Sequence, residues 1–253
     1  MTGARVFRFN DFQSNCTVIW DEGGNCVIGD PGFVGEKERE ELYGFIREKE
    51  LVPGAILLTH AHFDHIYGVA RLAGDFGIPV YMGREEARIL PLQADSAAAF
   101  GMPVPQTGFC WTPANDGTQV RVGALCFRAL ATPGHSPGGI SWYSREDKLL
   151  LSGDTLFCGS IGRSDLPGGD YDVLMESIFT KITVLDGDTD VITGHGPCTT
   201  IADERQKNPF LLPFNEPLPD NGDGGDGDGD CGCDGSNDDN DNGDCDCGCD
   251  DGK

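Results

Sequence analysis

Positive charge is scarce in this chain of 253 residues. Its 18 Lys and Arg stand against 42 Asp and Glu, a formal net charge of −24. That balance excludes a nucleic-acid partner, because phosphate binding needs clustered Lys and Arg. No apolar run reaches the roughly 20 residues of a membrane span, so no membrane partner is expected. Met1-Thr2-Gly3-Ala4-Arg5 leads directly into strand-like sequence without the apolar core of a signal peptide, and the expected location is the cytoplasm. A Gly-x-Ser-x-Gly nucleophile elbow is missing. The body also lacks paired cysteine spacing. Cys16, Cys26, Cys110, Cys126, Cys158 and Cys198 are scattered and, in a reducing compartment, are read as buried free thiols.

From Leu218 onward the chain lacks aromatic residues, and it lacks aliphatic ones beyond Leu218 itself. The segment 218–253 holds 13 Asp and one Lys, about half of the net charge. Such a stretch cannot offset its ordering entropy, so it is expected to be a disordered acidic tail. Asp226-x-Asp228-x-Asp230 approaches a calcium-loop pattern but fails where Cys231 replaces Gly and where Asn237 replaces Glu. Cys231, Cys233, Cys245, Cys247 and Cys249 are thiols suited to weak binding of soft metal ions. Residues 1–217 are enough for one well-buried domain.

Histidine is scarce too, with five in the chain. Three of them fall in Thr59-His60-Ala61-His62-Phe63-Asp64-His65. Ala55-Ile56-Leu57-Leu58 runs into this motif as a buried strand, and Ile66 to Leu72 runs out of it with helix spacing. The motif therefore sits on a strand-to-helix turn. His60 and His62, two apart, can point the same way. Asp64 and His65 fall in the first helical turn and can face a second point nearby. Neutral imidazole with carboxylate suits zinc, iron or manganese. The remaining two are in Pro133-Gly134-His135-Ser136-Pro137-Gly138 and Gly194-His195-Gly196-Pro197, where glycine lets backbone approach closely.

Strands are expected at 6–9, 16–20, 26–29, 55–58, 80–82, 119–122, 126–131, 140–143, 148–152 and 190–193. Helices are expected at 35–50, 66–72, 84–90, 95–100, 170–185 and 202–207, with Leu42, Phe45 and Ile46 as the buried stripe of the first. The order β-rich, α, β-rich, α suits two sheets packed face to face with helices outside. All ligand loops then leave strand ends at one edge. Asp154 follows the buried run Leu149-Leu150-Leu151, and a carboxylate at the mouth of a core strand needs a partner or a metal. Five histidines and two acids make seven ligands, which fits two ions sharing a bridge. Asp30 in Asp30-Pro31-Gly32 is read as a turn cap. Arg163 either faces substrate or pairs with Asp165. Cys158 and Cys198 are read as packing rather than ligating.

His60-x-His62-x-Asp64-His65, Gly134-His135, Gly153-Asp154-Thr155-Leu156-Phe157 and Gly194-His195-Gly196-Pro197 resemble the metallo-β-lactamase superfamily, and within it the glyoxalase II type of hydrolase. Order and spacing agree from about Val6 to Phe210. The resemblance implies an α/β (α+β) fold, an αββα sandwich of two mixed sheets. It implies two divalent ions, zinc first, with iron or manganese as alternatives. His60, His62 and His135 would hold one ion, Asp64, His65 and His195 the other, and Asp154 would bridge them. The activity implied is hydrolysis of small thioesters such as S-2-hydroxyacyl-glutathione by a hydroxide positioned by Asp64 and Asp154. Longer members add a helical domain with basic residues for glutathione. Here the stretch after His195 resembles the short bacterial form, leaving Arg205 and Asn208, with Arg163, as candidate substrate contacts. The alternative implied is a persulfide dioxygenase, in which His60, His135 and Asp154 would hold one iron. A β-lactamase fits less well, since those enzymes usually lack the bridging Asp.

Overall fold

Alternating burial along the strands sorts the chain into layers in the computed structural model, which describes residues 2–212. The expectations for 218–253, disorder and soft-metal binding, lie outside the described residues. The first sheet holds β1 (Gly3–Phe9), β2 (Ser14–Trp20), β3 (Asn25–Gly29), β4 (Val52–Leu57), β5 (Val80–Gly83) and β6 (Thr112–Ala114) in that order. β1 to β3 pair antiparallel and β3 to β6 parallel. The parallel pairs need crossovers. Two helical ones supply them, α1 (Gly35–Glu48), then α2 (Phe63–Ile66) with α3 (Val69–Phe76), while α4 (Gln93–Ala99) lies between β5 and β6.

The second sheet begins with β7 (Gln119–Val122), β8 (Leu125–Ala131), β9 (Ile140–Ser144) and β10 (Leu149–Gly153), an antiparallel meander. A short hairpin, β11 (Leu156–Phe157) and β12 (Ser160–Ile161), precedes helix α5 (Tyr171–Ser177). β13 (Asp190–Thr193) then joins β10 in parallel, β14 (Thr199–Thr200) closes the edge, and α6 (Ile201–Lys207) follows. Both sheets are mixed.

Side-chain parity explains the stacking. In β3, Cys26 and Ile28 face a core shared with Leu42, Phe45 and Ile46 of α1, while Val27 faces the other way. Val27 meets Phe127, Trp142, Leu151 and Ile192 in the layer between the sheets. Leu150 faces outward to Leu174, Ile178 and Ile182. The result is helix, sheet, sheet, helix, as expected for residues with period two on strands buried on both faces. Trp142 is fully buried between the sheets, and its Nε1 donates to the Leu58 carbonyl at 2.9 Å, tying the second sheet to the strand that leads into the histidine motif.

Several expectations need correction. The helix expected over 66–72 is two pieces broken at Gly68, where the Phe33 ring occupies the space of a side chain and the Gly68 amide donates to the Pro31 carbonyl. The stretch 84–92 forms two 3₁₀ turns, with Pro91 in the second. The helix expected over 170–185 widens into a π turn at Ile178–Ile182, which keeps both isoleucines in the core. The thiols are not uniformly buried. Cys16 and Cys26, on inward strand positions, are buried, but Cys110, Cys158 and Cys198 are exposed. No helix among the described residues is long and apolar enough to cross a membrane.

Candidate metal centre

Strand ends deliver the ligand-type side chains to one place. β4 leads to His60, β8 to His135, β10 to Asp154 and β13 to His195. β8, β10 and β13 run parallel to one another, so their loops leave one edge of the second sheet. The Ile140 amide donates to the Thr59 carbonyl at 2.8 Å and holds the loop of the first sheet against it. Gly194 permits a close approach, since a Cβ there would collide with Asp154 Oδ1. Gly134, at φ +126°, adopts backbone open only to glycine beside helix α5.

Three groups of ligand atoms result, one of which, Asp30 with His60 and His65, shares its histidines with the other two. His60, His62 and His135 can hold one ion, with His62 Nδ1 and His135 Nε2 only 2.9 Å apart. Asp64, His65 and His195 can hold another, with His65 Nε2 and His195 Nε2 3.2 Å apart. Asp154 lies between them. Its Oδ1 is 3.5 Å from His65 Nε2, and its Oδ2 is 3.5 Å from His195 Nε2 and 3.6 Å from His135 Nε2. The seven residues expected from the sequence thus converge.

The far ring nitrogens are tethered. His135 Nδ1 donates to the Arg163 carbonyl at 2.7 Å and His195 Nδ1 to the Phe12 carbonyl at 3.0 Å. His65 Nδ1 faces Asp30 Oδ2 at 3.3 Å, and His60 Nδ1 faces Thr59 Oγ1 at 3.0 Å. Such tethers fix tautomer and ring orientation, so that Nε2 points into the site. Burial, reinforced by the neighbouring imidazoles, holds His60 well below the usual histidine range. Burial and His135 push His62 down to about 3. Burial alone would lower His65 as well, but Asp64 and Asp154 outweigh it and hold that ring well above its usual range. His195 is raised for the same reason, by Asp64 and Asp154 against its burial. Burial would raise Asp64, yet His65, His195 and Ser14 together hold it well below the carboxylate range.

A divalent metal fits this arrangement. His60 Nε2 and Asp154 Oδ1 are buried without a hydrogen-bond partner. An orphaned buried polar atom costs about 1–3 kcal/mol, and an ion between the groups would satisfy both. Burial keeps His60 and His62 in the neutral form that ligation needs, whereas His65 and His195, raised by Asp64 and Asp154, would give up their protons to an ion.

Three positioning residues had no sequence signal as such. Asp30, read as a turn cap, has φ +43° and is buried; it accepts from the Thr59 amide at 2.8 Å and from Thr59 Oγ1 at 2.6 Å, besides facing His65. Ser14 Oγ donates to Asp64 Oδ2 at 2.7 Å. Glu86, fully buried, accepts from the Ala61 and Gly138 amides, both at 2.7 Å, and so joins two histidine loops. The strand pairings that bring these groups in are long-range, which is why only the chain's fold reveals them.

A cavity of about 450 Å³ opens over the cluster. Arg163 lines it and forms two hydrogen bonds to Asp165 at 2.7 and 2.8 Å, the pairing that was one of its two readings. Arg205 and Asn208 do not line it. Arg205 donates to the Thr183 and Leu185 carbonyls, and Asn208 donates to the Ser160 carbonyl and to Glu204. These bonds tie the end of the domain together, and as substrate contacts the two residues remain proposals. Cys158 and Cys198 are outside the ligand groups, but they are exposed rather than packed.

Comparison with known proteins agrees with this geometry. Residues 9–195 match the model of the metallo-beta-lactamase superfamily. The chain is 39% identical over 206 residues to hydroxyacylglutathione hydrolase GloC of Haemophilus influenzae, a match covering 79% of this chain and 93% of that protein. It is similar to the crystal structure of the BLEG-1 B3 metallo-beta-lactamase, with a TM-score of 0.77 and 39% identity over 83% of this chain and 99% of that one. It is also similar to TTHA1623, crystallised in a di-iron-bound form, with a TM-score of 0.74 and 37% identity over 82% of this chain and 100% of that one. Motif, sandwich and site converge on one conclusion: the chain belongs to the metallo-β-lactamase superfamily.

Proposed function

We propose that the protein is a dinuclear metal-dependent hydrolase of small thioesters, 2-hydroxyacyl thioesters among them. His60, His62 and His135 would hold one ion, Asp64, His65 and His195 the other, and Asp154, lying between the groups, would serve both. Zinc suits the donor set, and the di-iron form of a relative keeps iron within reach of it. When bound, two such ions activate water at neutral pH and polarise a carbonyl oxygen.

The observation that carries this reading is the place of Asp154, within 3.6 Å of histidines from both groups. A single-iron site needs two histidines and one carboxylate, leaving four further ligand-type side chains unexplained in a buried cluster. The chain's own part is positioning. Asp154 sets the separation of the two groups, Asp30 and Ser14 hold His65 and Asp64, and the cavity wall orients the ester and excludes water. The hydrolase named among the relatives supports thioester as the substrate class.

The test sets metal content beside hydrolysis of S-lactoylglutathione and of simple acetyl thioesters, with oxygen uptake on glutathione persulfide measured in the same preparation. Two ions per chain with thioester hydrolysis is the expected result. One iron per chain with oxygen uptake would establish the dioxygenase instead.

A further inference from the structure

Most of the residues along the wall of the cavity, away from the histidine cluster, are apolar. Phe12, Phe63 and Phe100 meet edge to face or tilted, with ring centroids 5.2 to 5.8 Å apart, beside the histidine cluster. Phe12, Leu92 and Phe100 are 37, 47 and 56% exposed, so a monomer keeps three large apolar side chains in water at one cavity mouth. An exposed apolar cluster rimming a cleft marks a place where apolar surface is covered on binding.

The polar side chains of this wall are already engaged. Gln93 accepts from the Phe63 amide at 2.9 Å and donates to the Ile89 carbonyl at 3.0 Å. Ser96 donates to the Leu92 carbonyl at 3.1 Å. Arg163 is the one cation among the described lining residues, and Asp165 holds its guanidinium through two bonds. Glutathione presents two carboxylates and an ammonium group. Placed against aromatic rings without partners, those charges would lose their water at a cost.

Resting on the thioesterase reading above, we infer that the thiol half of the substrate is apolar and uncharged, and that Phe12, Phe63 and Phe100 form its recognition surface. The acyl carbon then sits at the ligand cluster while the thiol's hydrocarbon part lies on the rings. Hydrolysis adds water across the C–S bond, releasing a carboxylate and an apolar thiol, whose proton comes from that water. No oxidant or second substrate is required.

Two acetyl thioesters with alkanethiol leaving groups separate the possibilities, S-benzyl thioacetate and S-acetylglutathione, assayed on the metal-replete full-length protein. The benzyl ester should have the higher kcat/KM by at least ~10-fold, the scale on which an apolar pocket discriminates. Phe100→Lys supplies the missing cation at a half-exposed position. It should shift the preference toward the glutathione ester by ~10-fold or more, mainly through KM, with metal content unchanged. Leu92→Lys, at a second exposed rim position, should shift it the same way. A preference of the native protein for the glutathione ester, or a ratio unmoved by both substitutions, would overturn the inference. Failure of both esters to react removes the thioesterase reading, and this inference with it.

Discussion

Asp154 is the residue on which two metal groups or one depends. Its carboxylate stands between the two histidine groups, with one oxygen buried and unpartnered. Asp154→Asn keeps the shape but removes the charge and, in the proposed site, one strong ligand bond. We expect kcat/KM for a thioester to fall at least ~100-fold, the loss that a misplacement of about 1 Å produces. Metal analysis of the same sample separates lost ions from misplaced ones, and full activity at full occupancy would remove Asp154 from the site. Asp30 acts one contact further out. Asp30→Ala frees both His65 and Thr59, and metal affinity should weaken by ~10–100-fold while the fold survives. Competition with a chelator measures this, and unchanged affinity would reduce Asp30 to the turn cap that its Asp-Pro-Gly context suggests. The histidines of the candidate site were legible because they are five in all and sit in dense or glycine-flanked motifs. Asp30, Ser14 and Glu86 were not, because each acts on a partner far along the chain.

At the scale of elements, what matters is how loops from two sheets are held in register. Glu86 does part of this from a 3₁₀ turn, accepting one amide from the His60–His62 loop and one from the His135 loop. Burial raises its pKa, but the two amides favour the carboxylate. Glu86→Ala would leave both amides buried and unpaired, at about 1–3 kcal/mol each. We expect denaturant unfolding to show a loss of at least ~2 kcal/mol, together with reduced metal content. A variant of native stability would mean that water replaces the carboxylate. Period-two burial made the long strands readable, since residues such as Cys26 and Val27 face opposite cores. The two- and three-residue strands β6, β11, β12 and β14 carry too few residues for a period. The break at Gly68 and the π turn at Ile178–Ile182 come from tertiary packing, which overrides local helical spacing.

For the whole molecule, the sandwich and its family followed from the order of four motifs, and the substrate did not, since superfamily members differ in what their loops add around a shared site. The acidic segment that follows is proposed to be separable from the chemistry. Truncation after residue 217 removes about half of the net charge and should leave thioester hydrolysis within about twofold of the full-length chain, as expected for a segment with no apolar surface to bury. Loss of activity in metal-replete buffer would show that the tail serves the site. The central claim is a two-ion thioesterase, and one titration addresses it directly. Metal-stripped full-length protein is supplied with zinc in steps while hydrolysis of S-benzyl thioacetate is followed. Activity should rise from background and reach its plateau at two ions per chain. Hydrolysis that needs no metal, or that saturates at a single ion, would contradict the account.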